Sequence, residues 1–375
     1  MPWTKVTEMS LKREFIYFAL QEAEPFTSLC RRFKISPKTG YKLLNRFREF
    51  GEEGLEEKSR RPLSSPNQIQ HNLEKKILEI RVKKPAWGGR KIRAYLANQG
   101  EVILPATSTV TDILNRNGLI KKKDLPTKAL ERFEHAQSND LWQIDFKGHF
   151  QMHRGRCHPL TILDDYSRFS IGVRACNTES RAVVQAHFIE IFEEYGLPYR
   201  INFDNGTPWA SINSRHTRFT ELSLWLIRLG IQVSFSRIKR PQTNGKIERF
   251  HQTLKKELLQ YKNFWDIKDA QIHFDKWRME YNFERPHEAI NLKPPGSRYK
   301  FSERKYPDEL PPVEYRSTDI VRHVNRSGAI SYQNKKIFVG EGFKNMPVAV
   351  RADDNGNCKI YFCHQKILSI DMTKY

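Results

Sequence analysis

No stretch of this 375-residue chain approaches the ~20 consecutive apolar residues that a membrane-spanning helix needs. Its first ten residues, MPWTKVTEMS, hold no apolar signal core. Cysteine is scarce, and Cys30, Cys157, Cys176, Cys358 and Cys363 form no CxxC pair. An odd number in a long chain predicts reduced thiols and a cytosolic setting. No GxxxxGK followed by Ser or Thr occurs, so the sequence has no evident ATP site of its own. Acid is also in short supply: 43 Asp and Glu stand against 64 Lys and Arg, a net charge of +21. Such a surplus points to nucleic acid or an anionic membrane. It is spread over every part of the chain, which fits a long polyanion better than a basic tail would.

What is present is enough for packed cores. Apolar residues make up 38% and aromatics 12%, too much for a disordered protein. The length predicts two to four domains. Residues 8–50 read as three short helices. Leu29, Phe33 and Ile35 are core-type positions, Ser36 is a good N-cap, and Pro37 suits the first helical position. Tyr41, Leu44 and Phe47 then recur at helical spacing. This is a helix-turn-helix over residues 1–56, whose second helix would offer Lys38, Thr39 and Lys42 to a major groove. Residues 54–67, GLEEKSRRPLSSPN, read as a linker, with Arg60 and Arg61 solvated on it. Residues 68–120 repeat the theme. A helix over 68–83, one ending at Gly100 and one ending at Gly118 predict a second helix-turn-helix, with Ser108, Thr109 and Arg116 as DNA contacts. Residues 119–138, with Lys121, Lys122 and Lys123, read as a basic connector.

The pattern then changes to strands. LWQIDFKGHF (141–150) is apolar around Asp145, and CHPLTILDDYSRFSIGVRA (157–175) reads as two strands meeting at Asp164–Ser167. Helices over 179–195, 216–229 and 243–261 alternate with strands at 199–206 and 231–236. That order predicts an α/β domain over 139–290. Residues 310–375 alternate short apolar runs with turn signals such as NRSG and QNKK, which predicts about five strands in a small β-barrel.

The helix of PQTNGKIERFHQTLKKEL (241–258) carries Lys246, Arg249, Lys255 and Lys256, a surface for phosphate, yet it also exposes Glu248. Asp145 sits mid-strand among Trp142, Ile144 and Phe146, where an unpartnered carboxylate is costly. Asp204 ends a strand and precedes an Asn-Gly turn, at the kind of sheet edge that carries ligand sites. Three carboxylates from separate elements can converge on hard divalent cations such as Mg²⁺, which leave room for phosphate and water. Two such ions about 4 Å apart suit in-line phosphoryl transfer. The acid would hold the cation while the bases hold the nucleic acid. Taken singly, each has an ordinary reading: a satisfied polar residue, a turn residue and an intrahelical ion-pair partner.

Together with HPLTILDDYSRF, FDNGTPW and YNFERPH, these stretches resemble the DDE catalytic core of insertion-sequence transposases and retroviral integrases. The resemblance implies an RNase H-like core over about residues 139–290, between helical DNA-binding modules and a C-terminal barrel. It implies that Asp145, Asp204 and Glu248 are catalytic and bind two Mg²⁺ (or Mn²⁺) ions. Lys255, seven residues beyond Glu248, matches the basic residue that contacts the element's end, with Lys246 and Arg249 beside it. The activity implied is binding of double-stranded element ends, cleavage at the 3′ ends, and joining to target DNA. The setting implied is a homo-oligomer on DNA in a bacterial cytoplasm, associated with the nucleoid. The sequence departs from the family in two places. The 43 residues between Asp204 and Glu248 exceed the usual interval, with the excess placed in PWASINSRHTRFTEL. The His-His-Cys-Cys zinc motif of retroviral relatives is absent from the N-terminal part. A DNA-binding regulator without catalysis and an RNase H-like nuclease are the alternatives. His149, His153, Cys157 and His158 read as hairpin polar residues rather than a zinc site. Asp164 and Asp165 read as turn residues, and Arg285, Pro286 and His287 as a helix stop packed on the core.

Overall fold

The computed structural model describes residues 7–22, 24–57, 69–120, 134–211, 217–236, 245–352 and 357–372. Contacts divide the chain into two units, Met1–Ile69 and Gln70–Tyr375.

The first unit is the expected trio of helices: α1 (Glu8–Gln21), α2 (Phe26–Arg32) and α3 (Pro37–Phe50). The Ser36 hydroxyl accepts the Thr39 amide at 3.2 Å and starts α3, with Pro37 in the first turn. Phe15, Ile16, Leu29, Cys30, Leu44 and Leu55 form its core. Tyr41, expected inside, is 53% exposed and stacks on Phe26 at 4.2 Å. The inner position one residue earlier belongs to Gly40, where a Cβ would lie 2.7 Å from the Cys30 sulfur. The expected linker also begins too early. Gly51–Leu55 is a 3-10 helix that buries Leu55, so residues 54–57 complete the first unit. Arg60 and Arg61 lie outside the described residues.

The second unit opens with α4 (His71–Lys83), α5 (Gly89–Asn98) and α6 (Thr107–Arg116) around Ile77, Trp87, Ile92, Val110 and Leu114. Residues Lys121 to Lys123 of the expected connector lie outside the described residues. A mixed sheet follows. Its strands are β1 (Trp142–Phe146), β2 (Phe150–Gln151), β3 (Arg156–Asp164), β4 (Ser170–Cys176), β5 (Arg200–Phe203) and β6 (Gln232–Phe235). The long strands run in the order β4-β3-β1-β5-β6. β3 runs antiparallel to both β4 and β1, and β5 and β6 are parallel to β1. Helices cover both faces, as an RNase H-like α/β core requires. On one face α7 (Arg181–Tyr195) and α8 (Glu221–Arg228) pack Phe188, Ile191, Leu226 and Ile227 onto Trp142, Ile144, Leu160 and Ile162. On the other, α9 (Gly245–Leu254) and α10 (Ile267–Phe283) pack Phe250, Leu254, Phe274 and Trp277 onto Cys157, Leu163 and Val173. Strand β3 therefore serves both cores, with Leu160 and Ile162 on one face and Cys157 and Leu163 on the other.

Two helices differ from their expected extents. A reciprocal capping box between Thr220 and Ser223 starts α8 at Glu221 rather than 216. The predicted helix over 243–261 is α-helical only to Leu254 and then widens into a π-helical turn, Lys255–Leu259. Glu257 in that turn accepts two bonds from Arg285 Nε, at 2.8 and 3.0 Å, in a buried pair. The RPH stretch thus anchors the turn as well as ending α10.

The C-terminal part is not a closed barrel. β7 (Ile320–His323), β10 (Pro347–Ala352), β11 (Asn357–Phe362) and β12 (Gln365–Asp371) form one open sheet, β12-β11-β10-β7, and β8 (Ala329–Tyr332) pairs only with β9 (Lys335–Phe338). Closure fails because β7 is exposed along its length, and its sheet shares a core with the α/β domain instead of folding back on itself. Gln365 serves as a substitute strand. Its side-chain amide accepts from the Val233 amide at 2.9 Å and donates to the Val233 carbonyl at 2.8 Å, covering part of edge strand β6. The unusually long interval after Asp204 contributes to the same junction. Ser211 and Arg218 pair across the segment, Thr217 donates to the Val339 carbonyl, and Phe219 meets Phe343.

Gly40→Ala is expected to destabilise the first unit by about 1–3 kcal/mol, because the added methyl meets a sulfur and two rings in a packed core. Hydrogen exchange on the full chain checks this. Amides of α1 to α3 should lose protection while those of the second unit keep it, and unchanged protection in α3 contradicts the packing.

Candidate active site

On β1 the residues that face away from Trp142 and Ile144 are Gln143 and Asp145. They lie beneath α9, and Thr161 on β3 pairs with Asp145 across the strands. The parallel register pairs Trp142 with Ile201 and Gln143 with Asn202, so two places further on Asp145 comes level with Asp204. Asp204 stands just past the end of β5, and its Oδ1 accepts the Gly206 amide at 3.0 Å in the expected Asn-Gly turn. Helix α9 buries Ile247, Phe250, His251 and Leu254 and presents Glu248 outward in its first turn. Asp145 and Asp204 thus lie toward the C-terminal ends of the neighbouring central strands β1 and β5, and α9 with Glu248 lies over β1.

The electrostatics agree with that placement. Burial pushes the Asp145 carboxyl up to about 7, and the Asp204, Glu248 and Glu179 carboxylates push in the same direction. Asp145 is fixed from behind. Thr161 Oγ1 donates to the Asp145 carbonyl at 2.8 Å and lies 2.7 Å from His251 Nε2. With its own proton so used, the hydroxyl accepts, and His251 carries hydrogen on Nε2. Burial, then the charge of Lys147, hold that ring down at about 3, so it is neutral. Its bare Nδ1 faces Asp145 Oδ2 at 3.9 Å.

Among the described residues, no three His, Cys, Asp or Glu side chains are gathered tightly enough to hold an ion. Asp145, Asp204 and Glu248 nonetheless fit a hard divalent cation in their chemistry. All donors are oxygen, all come from separate elements, and their mutual repulsion is what a cation relieves. The histidines are arranged differently. His158 Nδ1 lies 2.8 Å from Glu179 Oε1, and the His149 ring lies tilted 5.4 Å from that of His158.

The expected nucleic-acid contacts fall into two groups. Lys38, Thr39 and Lys42 are exposed along α3, Ser108 is exposed in the first turn of α6 with Thr109 half-buried beside it, and Arg249 and Lys255 are exposed on α9 and the π-helical turn. Two others are paired with acids. Arg116, 52% exposed, meets Glu74 at 2.5 Å on the surface, and Lys246, 16% exposed, meets the buried carboxylate of Asp165 at 2.5 Å. At Lys246 a phosphate would have to displace a buried partner. Asp164 and Asp165 do more than shape a turn. Asp164 accepts from the amides of Asn139 and Ser167, each at 2.8 Å, and from the Ser167 hydroxyl. Asp165 accepts from Gln143 Nε2 at 2.8 Å and the His135 amide at 3.0 Å. Gln143, Thr161 and His251 were missed by reading the sequence. The available signal was the run of polar residues, Gln143 and Asp145, on the face of β1 opposite Trp142 and Ile144.

Free of metal, folded Asp145 holds its proton more tightly than the unfolded chain does. Between the ordinary value of 3.8 and about 7 the unfolded state ionises first, so stability falls as pH rises through that window and is level above it. Asp145→Asn removes the loss. It should stabilise the metal-free protein at pH 8 by roughly 1–2 kcal/mol, less than the ~4 kcal/mol that three pKa units represent, because the side chain is partly exposed. At pH 4 it should give little gain. Urea unfolding in EDTA at the two pH values checks both, and equal effects contradict the burial and repulsion described.

Comparison with known proteins finds matches along most of the chain. Integrase core domain families match residues 135–241 and 229–295. A helix-turn-helix domain matches 12–62, a homeodomain-like domain 39–114, and the C-terminal domain of IS481 family transposases 319–375. A 31.7 kDa protein of insertion element IS407 from Burkholderia multivorans is 25% identical over 42% of this chain and 54% of its own. The chain thus spans about half the length of that relative. The transposase of insertion sequence element IS904 from Lactococcus lactis is 23% identical over 62% of this chain and 97% of its own. Among solved structures, the HTLV-2 integrase catalytic core with magnesium aligns over 44% of this chain and 98% of its own, with 18% identity and a TM-score of 0.35. With helix-turn-helix modules ahead of an integrase core and an insertion-sequence transposase domain behind it, the chain has the make-up of a DDE transposase of an insertion sequence.

Proposed function

We propose that this protein binds the ends of its element, cleaves them at the 3′ ends and joins them to target DNA by divalent-metal-dependent phosphoryl transfer. What supports the reading is that Asp145 comes level with Asp204 at the ends of β1 and β5, and that the Asp204 and Glu248 carboxylates both raise the Asp145 pKa. Asp145, Asp204 and Glu248 would hold Mg²⁺ or Mn²⁺, two ions in all. Once bound, these supply positive charge against the scissile phosphate and lower the pKa of the attacking oxygen's proton.

The chain's own residues do the remainder. Thr161 and His251 fix the backbone and ring around Asp145, so its carboxylate enters the site from one direction. Arg249, Lys255 and Lys256 line the exposed side of α9 and the turn beyond it, and take the phosphates flanking the scissile bond. Lys38, Thr39 and Lys42 on α3, with Ser108 and Thr109 on α6, face the terminal repeat. The C-terminal sheet adds phosphate contacts independent of sequence. Both chemical steps are in-line displacements, the second by the freed 3′-hydroxyl. Two ends must be held at once, so the working form is a homo-oligomer on double-stranded DNA. Such a protein acts in the bacterial cytoplasm, at the nucleoid. Among the described residues no helix is long and apolar enough to cross a membrane.

Joining of a labelled element-end oligonucleotide to plasmid DNA in Mg²⁺ tests the reading. Wild type should join. Glu248→Gln should lose at least about 100-fold in rate, an effect of several kcal/mol on the barrier, and still bind the end. Binding by both proteins with joining by neither favours a DNA-binding regulator. Cleavage of RNA–DNA hybrids without joining favours a nuclease.

A further inference from the structure

The first turn of α9 is tied to β1 by a buried polar link that includes none of the three site acids. Gln143, two residues before Asp145, donates from Nε2 to Asp165 Oδ1 at 2.8 Å. Its Oε1 accepts the backbone amide of Ile247, the residue before Glu248, at 3.3 Å. Asp165 Oδ2 accepts from Lys246 Nζ at 2.5 Å, and Lys246 lies two residues before Glu248. Asp165 is 1% exposed, Gln143 3%, and the Lys246 side chain 16%. Gln143 thus spans the gap between the strand that carries one site acid and the helix that carries another. The Lys246–Asp165 pair closes the same gap from the side.

Such an arrangement is unneeded for packing. Ile247, Phe250 and Leu254 already bury the inner face of α9. Three polar side chains at a buried junction must satisfy one another in a fixed geometry. That geometry sets the axial position and rotation of the turn from which Glu248 projects.

We infer that Gln143, Asp165 and Lys246 are positioning residues that hold Glu248 in register with Asp145 for metal binding. This rests on the proposed role of Glu248 as a metal ligand, and the test separates the two ideas. Mn²⁺ binding to the full chain is followed by electron paramagnetic resonance, with thermal unfolding in parallel. Lys246→Met, Gln143→Met and the charge-balanced pair Lys246→Met with Asp165→Asn should each weaken Mn²⁺ binding about tenfold, and Lys246→Arg should retain most of it. In a Glu248→Gln background the same substitutions should cause no further loss, because they act through that carboxylate. A merely structural role would lower the unfolding midpoint and reduce binding equally in both backgrounds, which overturns the proposal. If Glu248→Gln weakens Mn²⁺ binding while the folded charge-balanced variant binds like wild type, the link is refuted and the metal-site reading stands. If Glu248→Gln itself leaves Mn²⁺ binding unchanged, both fall.

Discussion

The alternation of β1 is the constraint from which the rest of the site follows. Trp142 and Ile144 belong to the core beneath α7 and α8, which compels Gln143 and Asp145 to the opposite face. On that face the cover is α9, an amphipathic helix whose buried stripe of Ile247, Phe250, His251 and Leu254 leaves Glu248 outside. A slip of one residue in β1 would carry Asp145 into an aromatic core and remove it from Asp204 and Glu248. The hydrophobic pattern therefore fixes the position of the carboxylates as strictly as it fixes the fold. Crowded acids are a cost in the metal-free protein, evident in the high Asp145 pKa. Sites that need charge at a point of low solvation carry that cost in the ground state.

Around this constraint the molecule is braced from two directions. Behind α9, Arg285 holds Glu257 and with it the π-helical turn from which Lys255 and Lys256 project. A π-helical turn changes the direction of side chains relative to a continuing α-helix. The seven-residue step from Glu248 to Lys255 is therefore not a simple two-turn repeat. At the far edge of the sheet, Gln365 and the Thr217–Phe219 segment join the C-terminal sheet to β6 and α8. Part of the chain between Asp204 and Glu248 is thus packed against the C-terminal sheet.

Most of this was legible in the sequence where local chemistry decides the outcome. Ser36 followed by Pro37 announces α3, the apolar alternation announces β1 and β3, and Asn-Gly after Asp204 announces its turn. The register of β1 against β5 brings together acids whose neighbours in sequence gave only the elements. Illegible were features that depend on partners far along the chain. Lys246 reads as a surface cation because nothing near it in sequence reveals Asp165. Gly40 replaced Tyr41 at the inner position because closeness of three helices, rather than hydrophobicity, selects the residue there. The barrel was expected from strand count alone, and strand count does not say whether a sheet closes on itself or borrows a core from its neighbour.

The central claim, that Asp145, Asp204 and Glu248 share one divalent-metal site, is tested most directly by letting the metal mark its own surroundings. Fe²⁺ replaces Mg²⁺ on the full chain, ascorbate and peroxide generate hydroxyl radicals at the ion, and mass spectrometry locates the backbone cuts. Cuts beside all three acids, suppressed together by excess Mg²⁺, are the predicted result. Cuts confined to one of the three segments, or insensitive to Mg²⁺, would contradict the account.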